Sequence, residues 1–371
     1  MMQLMPVLMG IVIPRAVLFS SIIHTPLFLG SLSLGLAWLL QINQLFFVAM
    51  VLLGFSFSAF IVVALDRLLR SVNRHVTRDM MMLALLALLI TTCLGIYLSM
   101  GHSVQTFPLA RQLTDLHLSW GLFGWVLLLI MAVAYQVIPM FQITDEYPVL
   151  HQRWMGWSVF TALLGLSLTY LMPLVSPMQT IRLFFTILLA ACLLIFALTT
   201  LWVLHKRRRQ LADTTMRFWQ LAMISLLLLS LSWLIPTLMN VDLPVFLLGV
   251  LMIHGFAMTT INGMMYKIMP FIIWLHLSVH NKNLRNKGKR ESQVKVPHMR
   301  KIIPEAAGLW QFRCHLSSLV LLLMATIWPL WFYYPAALMF ALAQAFLLFN
   351  LSKAVYFYNM KIAELSNALS S

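Results

Sequence analysis

The sequence predicts an all-α integral membrane protein with about ten transmembrane helices, arranged as a pseudo-threefold bundle of four-helix repeats. Three observations predict it. The chain is 61% hydrophobic and 9% charged, whereas a soluble domain carries about 25% charged residues. It contains ten apolar stretches that meet the length a bilayer demands, about 20 residues each. A proline motif also recurs, as MMQLMPVL at 1–8, AYQVIPMF at 134–141 and MYKIMPFI at 265–272, and its prolines Pro6, Pro139 and Pro270 are spaced 133 and 131 residues apart. Near-equal spacing in an apolar chain marks an internal repeat.

The spans read as 17–40, 43–65, 79–100, 117–141, 154–174, 183–204, 217–239, 245–275, 313–331 and 334–357. All belong to one polytopic membrane domain, 1–371, with repeat remnants 1–10, 11–141, 142–275 and 306–360. Each repeat holds three helices and then one that ends in the proline motif. Four spans separate Pro6 from Pro139, four more separate Pro139 from Pro270, and two follow. A complete pattern would place two further spans ahead of Pro6, twelve in all, so the chain reads as an N-terminally truncated copy. The stretch 276–305, rich in Asn, Lys and Arg, reads as a disordered basic cytoplasmic linker.

The net charge of +15 is a topology signal and does not point to nucleic acid. Alternating sides across the spans puts Arg15, Arg67, Arg70, Arg74, Arg78, Arg153, Lys206 to Arg209, Arg217, the 276–313 stretch, Lys353 and Lys361 together. The opposite side receives only Arg111 and Arg182. Positive residues concentrate on the cytoplasmic side, so the basic loops and the C-terminus are expected there, in a bacterial inner membrane. The partners implied are the lipid bilayer, with a secondary attraction to anionic head groups, and membrane partner subunits. Cys93, Cys192 and Cys314 stand singly and read as small core residues.

Within the motif, Tyr135 and Tyr266 lie four residues before the proline, and Gln3, Gln136 and Lys267 three before it. Polar groups at membrane depth usually face the bundle interior. The motif therefore has two readings, a structural role at the bundle centre or a proton or substrate path.

Eleven histidines carry whatever chemistry the chain has. His75, His205, His276, His280, His298 and His151 fall in or beside loops and read as solvated or interfacial. His24, His102, His117, His254 and His315 remain. His117 and His254 stand out because both occupy motif helices. His117 precedes Pro139 by about 33 Å of helix and His254 precedes Pro270 by about 24 Å, at about 1.5 Å per residue. Both therefore fall in the outer half of the membrane, with His102 on the same side. His24 and His315 read as nearer the cytoplasm and apart from this group. An intramembrane imidazole is costly and is a functional candidate by default, and imidazole ligates haem iron and copper. The bland alternative is that His254 hydrogen-bonds Thr259, Thr260 or Asn262, and that His117 caps a helix interface.

These features resemble subunit I of the haem–copper oxidase superfamily, and more closely the divergent NnrS-like bacterial membrane proteins, which are associated with haem, copper and nitric oxide stress. The resembling stretches are HLSWGLFGW at 117–125 running to YQVIPMF, and HGFAM at 254–258 running to YKIMPF. The resemblance implies that His117 stands at the sixth-of-twelve helix position, where a copper ligand or distal histidine is expected. His254 would stand at the tenth, where an axial haem ligand is expected. The chain departs from the oxidase pattern in ways that argue against a copper centre. Its sixth-position helix lacks a His-Pro-Glu segment, its seventh lacks a histidine pair, and its tenth has one histidine in place of His-x-His.

The resemblance thus implies a haem-binding protein of electron transfer or nitric oxide and gas handling, without proton-pumping oxygen reduction. Two alternatives stay open. One is a membrane transporter or permease, weakened by the absence of paired acidic residues in mid-span. The other is a cofactor-free scaffold or assembly subunit.

Overall fold

The structure, a computed structural model, describes residues 5–6, 10, 15–71, 76–104, 111–172, 176–208, 213–239, 241, 245–286 and 296–370. It is 92% helical and has no strand among these residues. Ten helices are long and apolar enough to cross a membrane, so the all-α membrane fold is as expected. They are α1 Ala16–Leu40, α2 Asn43–Leu69, α3 Val76–Val104, α4 Arg111–Gln142, α5 Val149–Leu171, α6 Pro177–His205, α7 Thr214–Met239, α8 Phe246–Asn286, α9 Glu305–Ala325 and α10 Pro329–Glu364.

The chain divides into two compact units, Met1–Arg207 and Arg208–Ser371. In the first, α1 and α2 form a hairpin closed by small residues. Gly30, Ser33 and Ala37 are buried along one face of α1, and a side chain at Gly30 would fall 2.9 Å from Leu53 Cγ on α2. Small residues let membrane helices approach closely, where lipid offers no hydrophobic drive for association. The Ser56 hydroxyl of α2 donates to the Ile23 carbonyl at 2.7 Å, in the turn before Pro26.

The motif helices α4 and α8 are the most enclosed, with 56% of their most apolar stretch buried against 17% for α1 and 11% for α10. Each contains an eight-residue π-helical segment, Trp120–Leu127 in α4 and Leu251–Met258 in α8. Both segments begin nineteen residues before the motif proline and end twelve before it. Each also holds a glycine pressed against the preceding helix. A Cβ at Gly124 would lie 2.7 Å from Ala87 Cβ on α3, and one at Gly255 would lie 2.7 Å from Ser225 Oγ on α7.

One feature of α8 differs from the sequence reading. The helix does not end at its motif proline. Pro270 lies inside a helix that runs on to Asn286, so the first part of the expected 276–305 linker is helical. Its buried Leu277 and Leu284 pack with Ile273, Ile302, Ile303 and Ala354 in one apolar cluster. Residues 287–295 lie outside the described part. Lys267, the one cation on the motif, is held in an ion pair. Its ammonium lies 2.5 Å from the Asp213 carboxylate, with side chains 18% and 3% exposed. The other Asp213 oxygen accepts the Met216 backbone N–H at the start of α7. There the Glu305 carboxylate also accepts from the backbone and hydroxyl of Thr214. This end of the unit is thus pinned by α7, α8 and α9 through two carboxylates and one ammonium.

Removing one partner of a buried pair leaves an uncompensated charge, at a cost of about 3–5 kcal/mol. Asp213→Ala should therefore lower the denaturation midpoint in detergent sharply. Lys267→Met should recover part of that loss when added to Asp213→Ala, since the doubly altered site holds no stranded ammonium.

Candidate functional site

The second unit brings two imidazoles together. His254 sits in the π-helical segment of α8 and is 3% exposed; His315, on α9, is fully buried. Their ring centroids are 4.2 Å apart. This corrects the expectation that His315 stands apart. α9 begins at Glu305, eight residues earlier than hydropathy placed it, so His315 lies in mid-helix. Gln311, His315 and Ser318, all buried, form a polar stripe at helical spacing on the inward face of α9.

Hydroxyls surround the pair. His254 Nε2 lies 2.7 Å from Ser318 Oγ, and His315 Nε2 lies 2.7 Å from Thr259 Oγ1. Ser318 donates to the His315 carbonyl at 2.8 Å, and Thr259 to the His254 carbonyl at 2.8 Å. Asn262 Nδ2 lies 3.3 Å from His315 Nδ1. His254 Nδ1 is buried with no hydrogen-bond partner. The Phe340 ring lies 5.4 Å from His254 and the Phe218 ring 5.7 Å from His315, centroid to centroid. Of the partners expected for His254, Thr259 bonds its carbonyl; the ring itself bonds Ser318.

His117, in the first unit, is held differently. Its Nδ1 donates to the Thr91 carbonyl of α3 at 3.0 Å, which leaves a lone pair on Nε2. A Cβ at Gly95 would lie 2.9 Å from His117 Cε1, so this glycine admits the ring. His117 precedes the π-helical segment of α4, whereas His254 lies within that of α8. Phe123 occupies in α4 the register that His254 holds in α8. The two histidines therefore share a type of helix without sharing a position on it. His102 packs between Trp38 and Phe46, at 4.9 and 5.0 Å, and His24 bonds within its own helix to Ser20.

The motif tyrosines each reach another helix. Tyr266 accepts from Asn350 Nδ2 of α10 at 3.0 Å. Tyr135 OH lies 3.0 Å from His151 Nδ1 of α5. His151 is only 9% exposed, which corrects its assignment to a solvated or interfacial loop. It lies beside Tyr147 and Phe196, with ring centroids 5.8 and 6.2 Å away, and its Nε2 is buried without a partner. Tyr147, between α4 and α5, donates to Thr200 at 3.1 Å. Burial holds its phenol well above the ordinary tyrosine range. Gln136 is half-buried, Pro139 lies near the end of α4, and Pro270 is buried. Of the first motif copy, Met5 and Pro6 are described, and the Pro6 carbonyl accepts from Gly10 at 3.1 Å; Gln3 lies outside the described residues. Cys192 is buried, but Cys93 is exposed and Cys314 only partly covered, which limits the small-core reading to Cys192.

Rings 4.2 Å apart leave no room for a macrocycle between them, so His254 and His315 do not flank one haem. A single axial bond fits the donor set, from His254 or from His117. His117 has the common orientation of a ligand histidine, one ring nitrogen donating to a carbonyl and the other bare. Among the described residues, no three His, Cys, Asp or Glu side chains come together.

No family model matches the sequence, and no curated protein matches it. Function must therefore be argued from the site.

Removing the Tyr135 hydroxyl strands His151, at a cost of about 1–3 kcal/mol for an unsatisfied buried group. Tyr135→Phe should thus lower thermal stability measurably. Tyr266→Phe should cost less, because Asn350 retains the Ala307 carbonyl, 3.3 Å away, as an acceptor.

Proposed function

We propose that the protein is a haem-binding membrane protein of the oxidase subunit I type, similar to NnrS-like proteins. It would serve electron transfer or the handling of nitric oxide or another small gas, and would not pump protons. We place it in a bacterial inner membrane with basic loops and C-terminus cytoplasmic, in a pseudo-threefold arrangement of repeats and with membrane partner subunits. One observation carries this reading: a fully enclosed imidazole pair, with ring centroids 4.2 Å apart, in membrane-spanning helices. Ionisable groups at that depth are expensive and mark functional positions.

His254 and His117 are the residues that would hold iron. When bound, haem supplies the redox and gas-binding chemistry. The chain contributes orientation at His117, through the Thr91 carbonyl that accepts from its Nδ1. It also excludes water, through buried Phe256 and Trp120 in the two π-helical segments. No copper centre is proposed. A cofactor-free scaffold has one observation in its favour: Thr259, Ser318 and His315 satisfy one another within the protein.

The test is a reduced-minus-oxidised absorbance spectrum of purified protein expressed with haem available. Haem bands are expected, and His254→Ala should abolish them if His254 supplies the axial bond. An unchanged spectrum in His254→Ala would remove that residue as a ligand. No bands in the unaltered chain would reject haem and leave a scaffold or a transporter, which substrate flux in proteoliposomes would separate.

A further inference from the structure

Two hydroxyl groups determine where the protons of the histidine pair reside. A hydroxyl has a single proton to donate. Ser318 donates its proton to the His315 carbonyl, and Thr259 donates its own to the His254 carbonyl. Each oxygen can then only accept from the imidazole it touches, at 2.7 Å in both cases. Both rings therefore carry their N–H at Nε2. His315 Nδ1 is left as an acceptor, which matches the amide nitrogen of Asn262 beside it. His254 Nδ1 is left as a lone pair without a donor. The bonds close a circuit: each histidine donates to a hydroxyl that donates to the backbone of the other histidine.

We propose that Ser318 and Thr259 are positioning residues that lock His254 and His315 in the Nε2–H form, with Ser318 competing against a bound metal centre for the outer nitrogen of His254. The second clause rests on the haem reading above. Nδ1 neighbours Cγ, the ring carbon that carries Cβ, so a flat macrocycle brought to that nitrogen meets the side chain's own stem. Iron needs Nε2, which Ser318 occupies. Ligation by His254 then begins with release of the Ser318 bond, as one proton leaves Nε2 and one is taken up at Nδ1, so the ring stays neutral. The lock thus sets an energetic threshold for loading the site.

The experiment is solid-state NMR on the full chain labelled with nitrogen-15 histidine, in lipid bilayers, with His254→Gln and His315→Gln identifying the two residues. Both are expected to show a protonated Nε2 and an unprotonated Nδ1. Ser318→Ala should turn His254 into a mixture of forms while His315 keeps its signal, and Ser318→Thr should restore the single form. A protonated Nδ1 on His254 in the unaltered chain overturns the lock, and so does an unchanged His254 in Ser318→Ala. The unaltered chain alone decides the first point, whether or not the variants fold. Haem titration gives the second readout. Ser318→Ala should bind about tenfold more tightly, the worth of one hydrogen bond, and equal affinity rejects the competition. Failure of every form to take up haem rejects the haem reading instead, and the nitrogen signals still decide the lock.

Discussion

Inside a bilayer a polar atom has no water to turn to, so it must find its partner within the chain. Much of this structure follows from that constraint. Hydroxyls throughout the spans donate to carbonyls of their own helix, as Thr91, Thr92, Ser167 and Thr260 do. Ser33 and Ser56 reach across to a neighbouring helix and so fix the α1–α2 hairpin. The histidine pair obeys the same rule, since two imidazoles that would each be a liability become tolerable by sharing two hydroxyls. Buried polar networks gain from being closed and lose heavily when one member is missing. The bare Nδ1 of His254 is therefore more informative than the four bonds around it.

The π-helical segments connect local geometry to this chemistry. The Thr259 hydroxyl bonds the His254 carbonyl five residues back, the interval at which a π-helix pairs its backbone. Such segments are rare and frequently mark functional sites. In α8 the segment holds His254, while in α4 it holds Phe123 at the same register and a buried Trp120 bonded to Ser167 at 2.8 Å. One backbone device thus presents an imidazole in one unit and an aromatic ring in the other.

All ten spans were legible in the sequence, because apolar length is the feature a bilayer selects. Their ends were less so. Glu305, Gln311 and Arg313 lower the hydropathy at the start of α9, yet Glu305 turns its carboxylate onto Thr214 and Gln311 is buried. That displacement is why His315 looked peripheral. His151 was misread for a related reason, since its burial depends on Tyr135 across a turn and on Phe196 from α6. Such contacts leave no local pattern. The clue available was the spacing of Gln311, His315 and Ser318 on one face of the helix. Proline was also a poor stop signal, for α8 passes Pro270 and continues into the basic segment because Leu277 and Leu284 have an apolar cluster to join.

The Lys267–Asp213 contact bears on how the chain enters its membrane. Insertion machinery handles helices in order of synthesis, and a lysine within a span adds to the cost of insertion, less near the interface than at the bilayer centre. Asp213 stands at the head of α7 and leaves the ribosome before Lys267 does. The counter-charge is thus already in place when the more difficult helix arrives. Chain order itself lowers the barrier for α8, and the same two helices with their order reversed would meet it in full.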